Sequence, residues 1–182
     1  MLVNRERANL VMDRYGLDAL VAATPINVQY LSDYQGPLMR MGRTFYNYAL
    51  LPRNPSAPAA LIVNGIEYHR LARSPDVTWM PNIRGYLHPI HKDRRDFDPD
   101  VEDPEAVEDV MRWPIRAEGL SSSDEAYLAK IESVRGNHAA NALYALKQAI
   151  RDAGLERSII GFDDPRVGLW LHEVGMPDIA GI

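Results

Sequence analysis

Residues 5–36, RERANLVMDRYGLDALVAATPINVQYLSDYQG, form the stretch whose reading decides the fold. Asn4 is suited to N-cap a helix that runs to Tyr15, with Ala8, Val11 and Tyr15 on one face and Gly16 as its stop. An apolar run from Leu17 to Ala22 follows at once. Apart from Asp18 it is hydrophobic on both sides, as expected of a strand buried in a largely parallel sheet. Thr24 then caps a new helical turn, with Pro25 at its first position.

Working outward, Thr44 to Leu51 and Ala59 to Val63 read as strands separated by Pro52, Asn54, Pro55 and Pro58, which predicts a hairpin. Ile66 to Ala72 reads as a short helix and Val77 to Met80 as another strand. From His88 to Pro104 the chain is polar and without apolar periodicity, which predicts an exposed loop, and a short helix to Trp113 follows. Ser122 and Glu125 have capping-box spacing at the start of an alanine-rich helix that continues to Ala153, is closed by Gly154, and has Gly136 as a point of interruption. Ser158 to Phe162 reads as a last core strand and Arg166 to Val174 as a final helix closed by Gly175 and Pro177. The predicted fold class is α/β, a three-layer-like arrangement of a mixed, mostly parallel sheet flanked by helices.

Composition narrows the function. The 182 residues are 46% hydrophobic and 25% charged, which fits a single domain over residues 1–182, since domains usually run to about 100–150 residues. No cysteine is present, so thiol nucleophiles, disulfides and Zn-thiolate sites are excluded. The first ten residues, MLVNRERANL, lack the apolar stretch of a signal peptide, and no run reaches the roughly 20 apolar residues that span a bilayer. The expectation is a soluble, cytoplasmic protein without a membrane partner. Net charge is −5 and the twenty basic residues are scattered among acids, which argues against nucleic acid. The chain stops at Ile182 in an apolar segment, which is expected of a cut through a larger protein, with a natural domain end as the plainer alternative.

Motifs that could carry chemistry fail on inspection. His172-Glu173 has the start of a zincin helix, but Met176 stands where the second histidine belongs, leaving a solvent-facing pair. His88 and His91 beside Asp93 could approach one metal on a helical turn, yet Pro89 favours a loop and no third ligand has suitable spacing. Asp96, Asp98, Asp100 and Glu102 mimic half a calcium loop, but Val101 and Val107 occupy the positions of the required glycine and glutamate. Asp163-Asp164 after a strand suits a catalytic or metal-binding carboxylate pair, while an N-cap ahead of Pro165 explains the same residues more simply. Gly36, Gly42 and Gly161 form no phosphate cradle.

The stretch from Arg5 to Gly36, with "YGLDALV" delivering a strand, "TPINVQYLSDY" after it and "SIIGFDD" as a late strand, resembles the amino-terminal domain of the creatinase and prolidase (Xaa-Pro aminopeptidase, pita-bread metallopeptidase) family. In the resemblance, Gly16 provides the left-handed cap and Asn27, Tyr30 and Tyr34 pin the turn that follows, Asn27 as a backbone-bonding residue. What it implies is an α/β lid and dimerisation module, inactive alone, for a metal-dependent hydrolase of Xaa-Pro peptides or a small amidino compound. Two divalent metals (manganese, cobalt or zinc) belong to the pita-bread catalytic domain, which is absent from the chain. None of that domain's aspartate, histidine and glutamate ligands carries over, so neither a catalytic nor a metal residue is assigned here and no cofactor is expected in this chain. The implied partners are a second copy in a homodimer and the catalytic domain of the same polypeptide or the neighbouring subunit.

One finer correspondence concerns Met41-Gly42-Arg43-Thr44, which resembles the Phe-Gly-Arg-Lys stretch of creatinases, whose arginine reaches from the neighbouring subunit to hold the substrate carboxylate. A guanidinium suits that task, as a planar and permanently charged bidentate fork. Arg43 is thus the candidate substrate contact in trans, with Arg40 a second on the same loop; an exposed arginine at a strand entrance is the plainer alternative. Met41 replaces the aromatic residue, which counts against creatine. Tyr46 and Tyr48 alternate with Phe45 and Asn47, so one face should pack on the sheet and the other meet an interface or solvent. Two other function classes stay open: a freestanding α/β module that binds a small anionic ligand or a protein partner, and an unrelated small α/β enzyme using Asp163 or His88.

Overall fold

Period-two burial organises the sheet. In the computed structural model, which describes residues 1–44, 46–88, 118–133 and 136–181, the hairpin strands β2 (Tyr48–Pro52) and β3 (Ala60–Asn64) send alternate side chains to opposite faces. Tyr48, Leu50, Ala60 and Ile62 enter one core, while Ala49, Leu51, Leu61 and Val63 enter the other. Both faces are therefore covered, which explains why these strands read as unbroken apolar runs.

The remaining strands are β1 (Ala19–Ala22), β4 (Asn82–His88), β5 (His138–Asn141), β6 (Ile159–Phe162) and β7 (Ala180–Gly181), in the sheet order β5-β4-β3-β2-β1-β6-β7. Among the described residues only β2 runs against the other six strands, pairing antiparallel with both β1 and β3. The helices are α1 (Arg5–Tyr15), α2 (Pro25–Ser32), α3 (Pro37–Arg40), α4 (Gly65–Arg73), α5 (Ser122–Ser133), α6 (Ala142–Asp152) and α7 (Pro165–Glu173). Residues of α1 to α4 share one core with the sheet, and residues of α6 and α7 share the other. The three-layer α/β class is as the sequence predicts. No helix among the described residues is long and apolar enough to cross a membrane.

The opening stretch folds as read. Asn4 accepts from the Arg7 amide at 2.9 Å, and Gly16 ends α1 at φ +65°. Its buried face differs from the expectation: Ala8 and Met12 are buried, whereas Val11 and Tyr15 are exposed. Residues four apart stack directly on a helix, and the long unbranched methionine reaches the sheet while the Tyr15 ring lies beside the Arg14 guanidinium at 5.6 Å.

Four further expectations are corrected. Val77 to Met80 is not a strand: a 3-10 turn at Pro75–Val77 precedes it, the Thr78 hydroxyl donates to the Ser32 carbonyl at 2.7 Å, and Trp79 Nε1 donates to the Leu31 carbonyl at 2.8 Å. These bonds tie the segment to the end of α2 and leave the ladder to Asn82–His88. The capping box lies one residue earlier, with the Ser121 amide donating to Asp124 Oδ2 at 3.0 Å and the Asp124 amide donating to Ser121 Oγ at 3.3 Å. The alanine-rich stretch is not one helix. Gly136 at φ +88° breaks it, His138–Asn141 pairs in parallel with β4, and a new helix starts at Ala142. Alanine's helical preference amounts to well under 1 kcal/mol per residue, less than the sheet gains by burying Ala139 beside Tyr86. The strand expected from Thr44 begins only at Tyr48. Residues 89–117, which include His91, Asp93, the acidic run Asp96 to Glu102 and the helix expected before Trp113, lie outside the described residues, as does Phe45.

Candidate functional site at the carboxyl edge of the sheet

Because six strands share a direction, their ends gather on one edge, where α/β domains hold their polar functional groups. Four helices begin there immediately after a strand or its short turn, and each takes its N-cap from that edge: Thr24 for α2, Asn64 for α4, Asn141 for α6 and Asp164 for α7. Asn141 Oδ1 accepts from the Leu143 and Tyr144 amides, both at 3.0 Å. Since β2 is reversed, its entrance also lies on this edge and brings the α3 to β2 connection with it.

Asp163 is the fastener of the edge. Its Oδ1 accepts from the Ala23 amide at 2.8 Å, and its Oδ2 accepts from the Thr24 amide at 3.0 Å, the Thr24 hydroxyl at 2.5 Å and Asn27 Nδ2 at 3.1 Å. The end of β6 is thereby locked to the start of α2. Asn27 does pin the turn, through this carboxylate rather than through the backbone. Tyr30 instead ties α2 to the start of α1, its hydroxyl accepting from the Asn4 amide at 3.2 Å. Asp164 caps α7 by accepting from the Arg166 amide at 3.0 Å, and the Arg166 guanidinium forks onto both of its oxygens. That fork holds the Asp164 carboxyl below its ordinary value.

The Asp163-Asp164 pair therefore has its lone pairs in use on main-chain amides and on Thr24, Asn27 and Arg166, which is a capping arrangement and does not suit a metal pair. Among the described residues no three His, Asp or Glu side chains converge as metal ligands. A binuclear metal centre does not fit these residues. His172 and Glu173 are exposed as expected, but His172 is not merely solvated, since its Nε2 lies 2.7 Å from the Ile179 carbonyl. His88 closes β4.

Arg40 and Arg43 are exposed on the connection that leads to β2, and Met41 between them is exposed too. Backbone bonds shape this loop: the Arg40 amide donates to Gly36 at 3.1 Å, the Gly42 amide to Met39 at 2.9 Å and the Arg43 amide to Leu38 at 3.1 Å. Gly42 takes φ +70°, a left-handed conformation that turns Arg43 outward from the end of α3. The Tyr86 hydroxyl donates to the Tyr46 carbonyl at 2.6 Å, which fixes the far end of the loop.

Beneath the loop lies a polar cluster that the motifs did not reveal. Glu67 and Asn47 are only 3% and 2% exposed, and Asn47 Nδ2 donates to Glu67 Oε2 at 2.8 Å. Tyr34 is buried beside them, and burial followed by the nearby Glu67 charge pushes its hydroxyl well above the ordinary range. Burial likewise raises the Glu67 carboxyl, against the opposing pull of Asn47, the Leu38 amide and Arg70. Glu67 follows Asn64 with capping-box spacing, a pattern normally solvent-facing, so nothing local announced its burial. The wall of the cluster is tertiary: the packing of Gly36 against its carboxyl.

Residues 5–100, more than half of the 182, match the family described as the creatinase/prolidase N-terminal domain. The chain belongs to the creatinase/prolidase N-terminal domain family. No curated protein matches it. Similar solved structures include the N-terminal creatinase/prolidase-like domain of a protein from Corynebacterium diphtheriae, at 11% identity and TM-score 0.44 over 98% of this chain and 90% of that one. The creatinase/prolidase N-terminal domain of an X-Pro dipeptidase from Streptococcus pyogenes is similar at 12% identity and TM-score 0.36, over 81% and 99% of the two chains. The prolidase from Pyrococcus horikoshii is similar at 18% identity and TM-score 0.32, over 81% of this chain and 33% of that one. A creatinase/prolidase N-terminal domain is thus built here with its polar edge devoted to helix caps and to one projecting arginine loop.

Proposed function

We propose that this chain is the non-catalytic lid and dimerisation domain of a metal-dependent Xaa-Pro peptidase or creatinase-like hydrolase, lending the Arg40 to Arg43 loop to the active site of a partner subunit. The observation that supports it is the loop itself. Two arginines and an apolar Met41 stand exposed at the carboxyl edge of a family member's sheet, while the edge carboxylates Asp163 and Asp164 are occupied as caps. The two divalent cations and the hydrolytic step belong to a catalytic domain outside this chain. Arg43 supplies a guanidinium for a substrate carboxylate, and the homodimer supplies the geometry that brings it there.

The reading is tested in the full-length protein by steady-state kinetics on an Xaa-Pro dipeptide. Losing a charge-assisted bond of about 1.5–3 kcal/mol raises KM roughly tenfold to a hundredfold in Arg43→Ala, with Arg43→Lys between it and the wild type. A KM within about twofold of wild type in Arg43→Ala would remove Arg43 from substrate binding.

A further inference from the structure

The cluster under the loop has a geometry that ordinary core packing does not explain. Glu67 is an acid buried to 3% exposure, and its carboxyl is held by Asn47, whose Nδ2 donates to Oε2 at 2.8 Å, with the Leu38 amide and Tyr34 beside the same carboxyl. Tyr34 and Asn47 are buried beside it, so the cluster is shut off from solvent. An acid in such a place costs several kcal/mol of desolvation, so it persists only where surrounding structure holds it.

What holds it is the start of the loop. A Cβ at Gly36 would fall 2.1 Å from Glu67 Oε1, 2.8 Å from its Cδ and 2.9 Å from a Tyr34 ring carbon. Gly36 has φ −77°, so its backbone does not require glycine. The close approach of the Glu67 carboxyl, with the Tyr34 ring behind it, does. The same backbone then gives the N-cap of α3, whose single turn ends at Arg40, and the following Gly42 aims Arg43 outward.

We propose that Glu67 is a positioning residue, whose contacts with Gly36 and Asn47 clamp the Gly36 to Thr44 loop between α4 and the entrance of β2 and so set where Arg40 and Arg43 project. The charged and titratable groups that face the clamp are Tyr34 before α3, Arg40 on α3, Arg70 on α4 and Tyr86 on β4. The importance of the clamp for substrate rests on the lid reading above, but its existence does not. It can be measured in this chain alone, so failure of the clamp and failure of the Arg43 assignment are separate results.

The experiment is amide hydrogen exchange on this chain, comparing the loop peptide 37–44 with core peptides of β2 and β3. Glu67→Ala and Gly36→Ala each accelerate loop exchange by about tenfold or more while the core peptides stay unchanged, the signature of local opening. The double variant exchanges no faster than either single one, since alanine at 67 leaves room for the Gly36→Ala methyl. Glu67→Gln, which keeps the shape and the acceptor for Asn47, restores protection to within about threefold of wild type. The proposal is overturned by loop exchange in Gly36→Ala and Glu67→Ala within about twofold of wild type, by equal acceleration in loop and core, or by additive effects. Should Glu67→Ala fail to fold, Gly36→Ala and Glu67→Gln decide the matter by the same thresholds.

Discussion

Replacing Asp163 by alanine removes the acceptor that ties β6 to the β1 to α2 turn, and its cost follows from the bonds it makes. Ala23 is buried, and its amide donates to Asp163 Oδ1 at 2.8 Å. A part-buried amide deprived of its acceptor costs about 1–3 kcal/mol. The Thr24 amide, the Thr24 hydroxyl and Asn27 Nδ2 lie at exposed positions where water replaces the lost oxygen, so each bond there contributes about 0.5 kcal/mol. The expected loss is about 3 kcal/mol. For a domain of this size each kcal/mol moves the thermal midpoint by roughly 2–4 °C, which gives a fall of roughly 6–12 °C followed by far-ultraviolet circular dichroism. Asp163→Asn keeps the acceptor for Ala23 but puts a donor opposite Asn27, and it should lose about half as much. Asn27→Ala, which removes one exposed bond, should fall by less than about 3 °C. A fall below about 2 °C in Asp163→Ala would refute the reasoning, because the Ala23 amide would then be satisfied without the carboxylate.

Two further outcomes are expected. Asn141→Ala removes the cap that accepts from the Leu143 and Tyr144 amides and should lower the free energy of unfolding by about 1–2 kcal/mol in urea titration, whereas Asn141→Asp keeps most of it. Glu67 has its carboxyl raised by burial above the ordinary 4.5. The folded state therefore favours the protonated form, and the stability this contributes is complete below the unfolded value and is lost as pH rises through the folded one. Glu67→Gln should abolish that loss, so the wild-type unfolding midpoint should fall relative to the variant as pH is raised above 4.5; parallel pH profiles would contradict the burial of a titrating acid.

Much of the fold was legible because it was written locally. Asn4, Gly16, Pro25, Gly154 and Pro165 mark helix ends through their own backbone preferences, and the apolar runs 19–22 and 59–63 have no polar face to give to solvent. The carboxyl edge was legible in part. Asp163-Asp164 reads as a cap because a carboxylate before proline suits that position, and Arg43 stands out as an exposed guanidinium beside a glycine. Glu67 was not legible, because its capping-box spacing after Asn64 is the pattern of a solvated residue.

The sequence by itself therefore determined the layered α/β class, the family and the helix ends at Asn4, Gly16, Thr24 and Asp164, and those ends depend on interactions within a few residues of one another. Only the tertiary structure decided that His138–Asn141 is a strand, that Thr78 and Trp79 serve the end of α2, and that Glu67 is enclosed by Gly36 and Asn47. Each of those outcomes turns on a partner at least 20 residues away. Local preferences of a fraction of a kcal/mol cannot announce such a partner, and packing overrides them once it arrives.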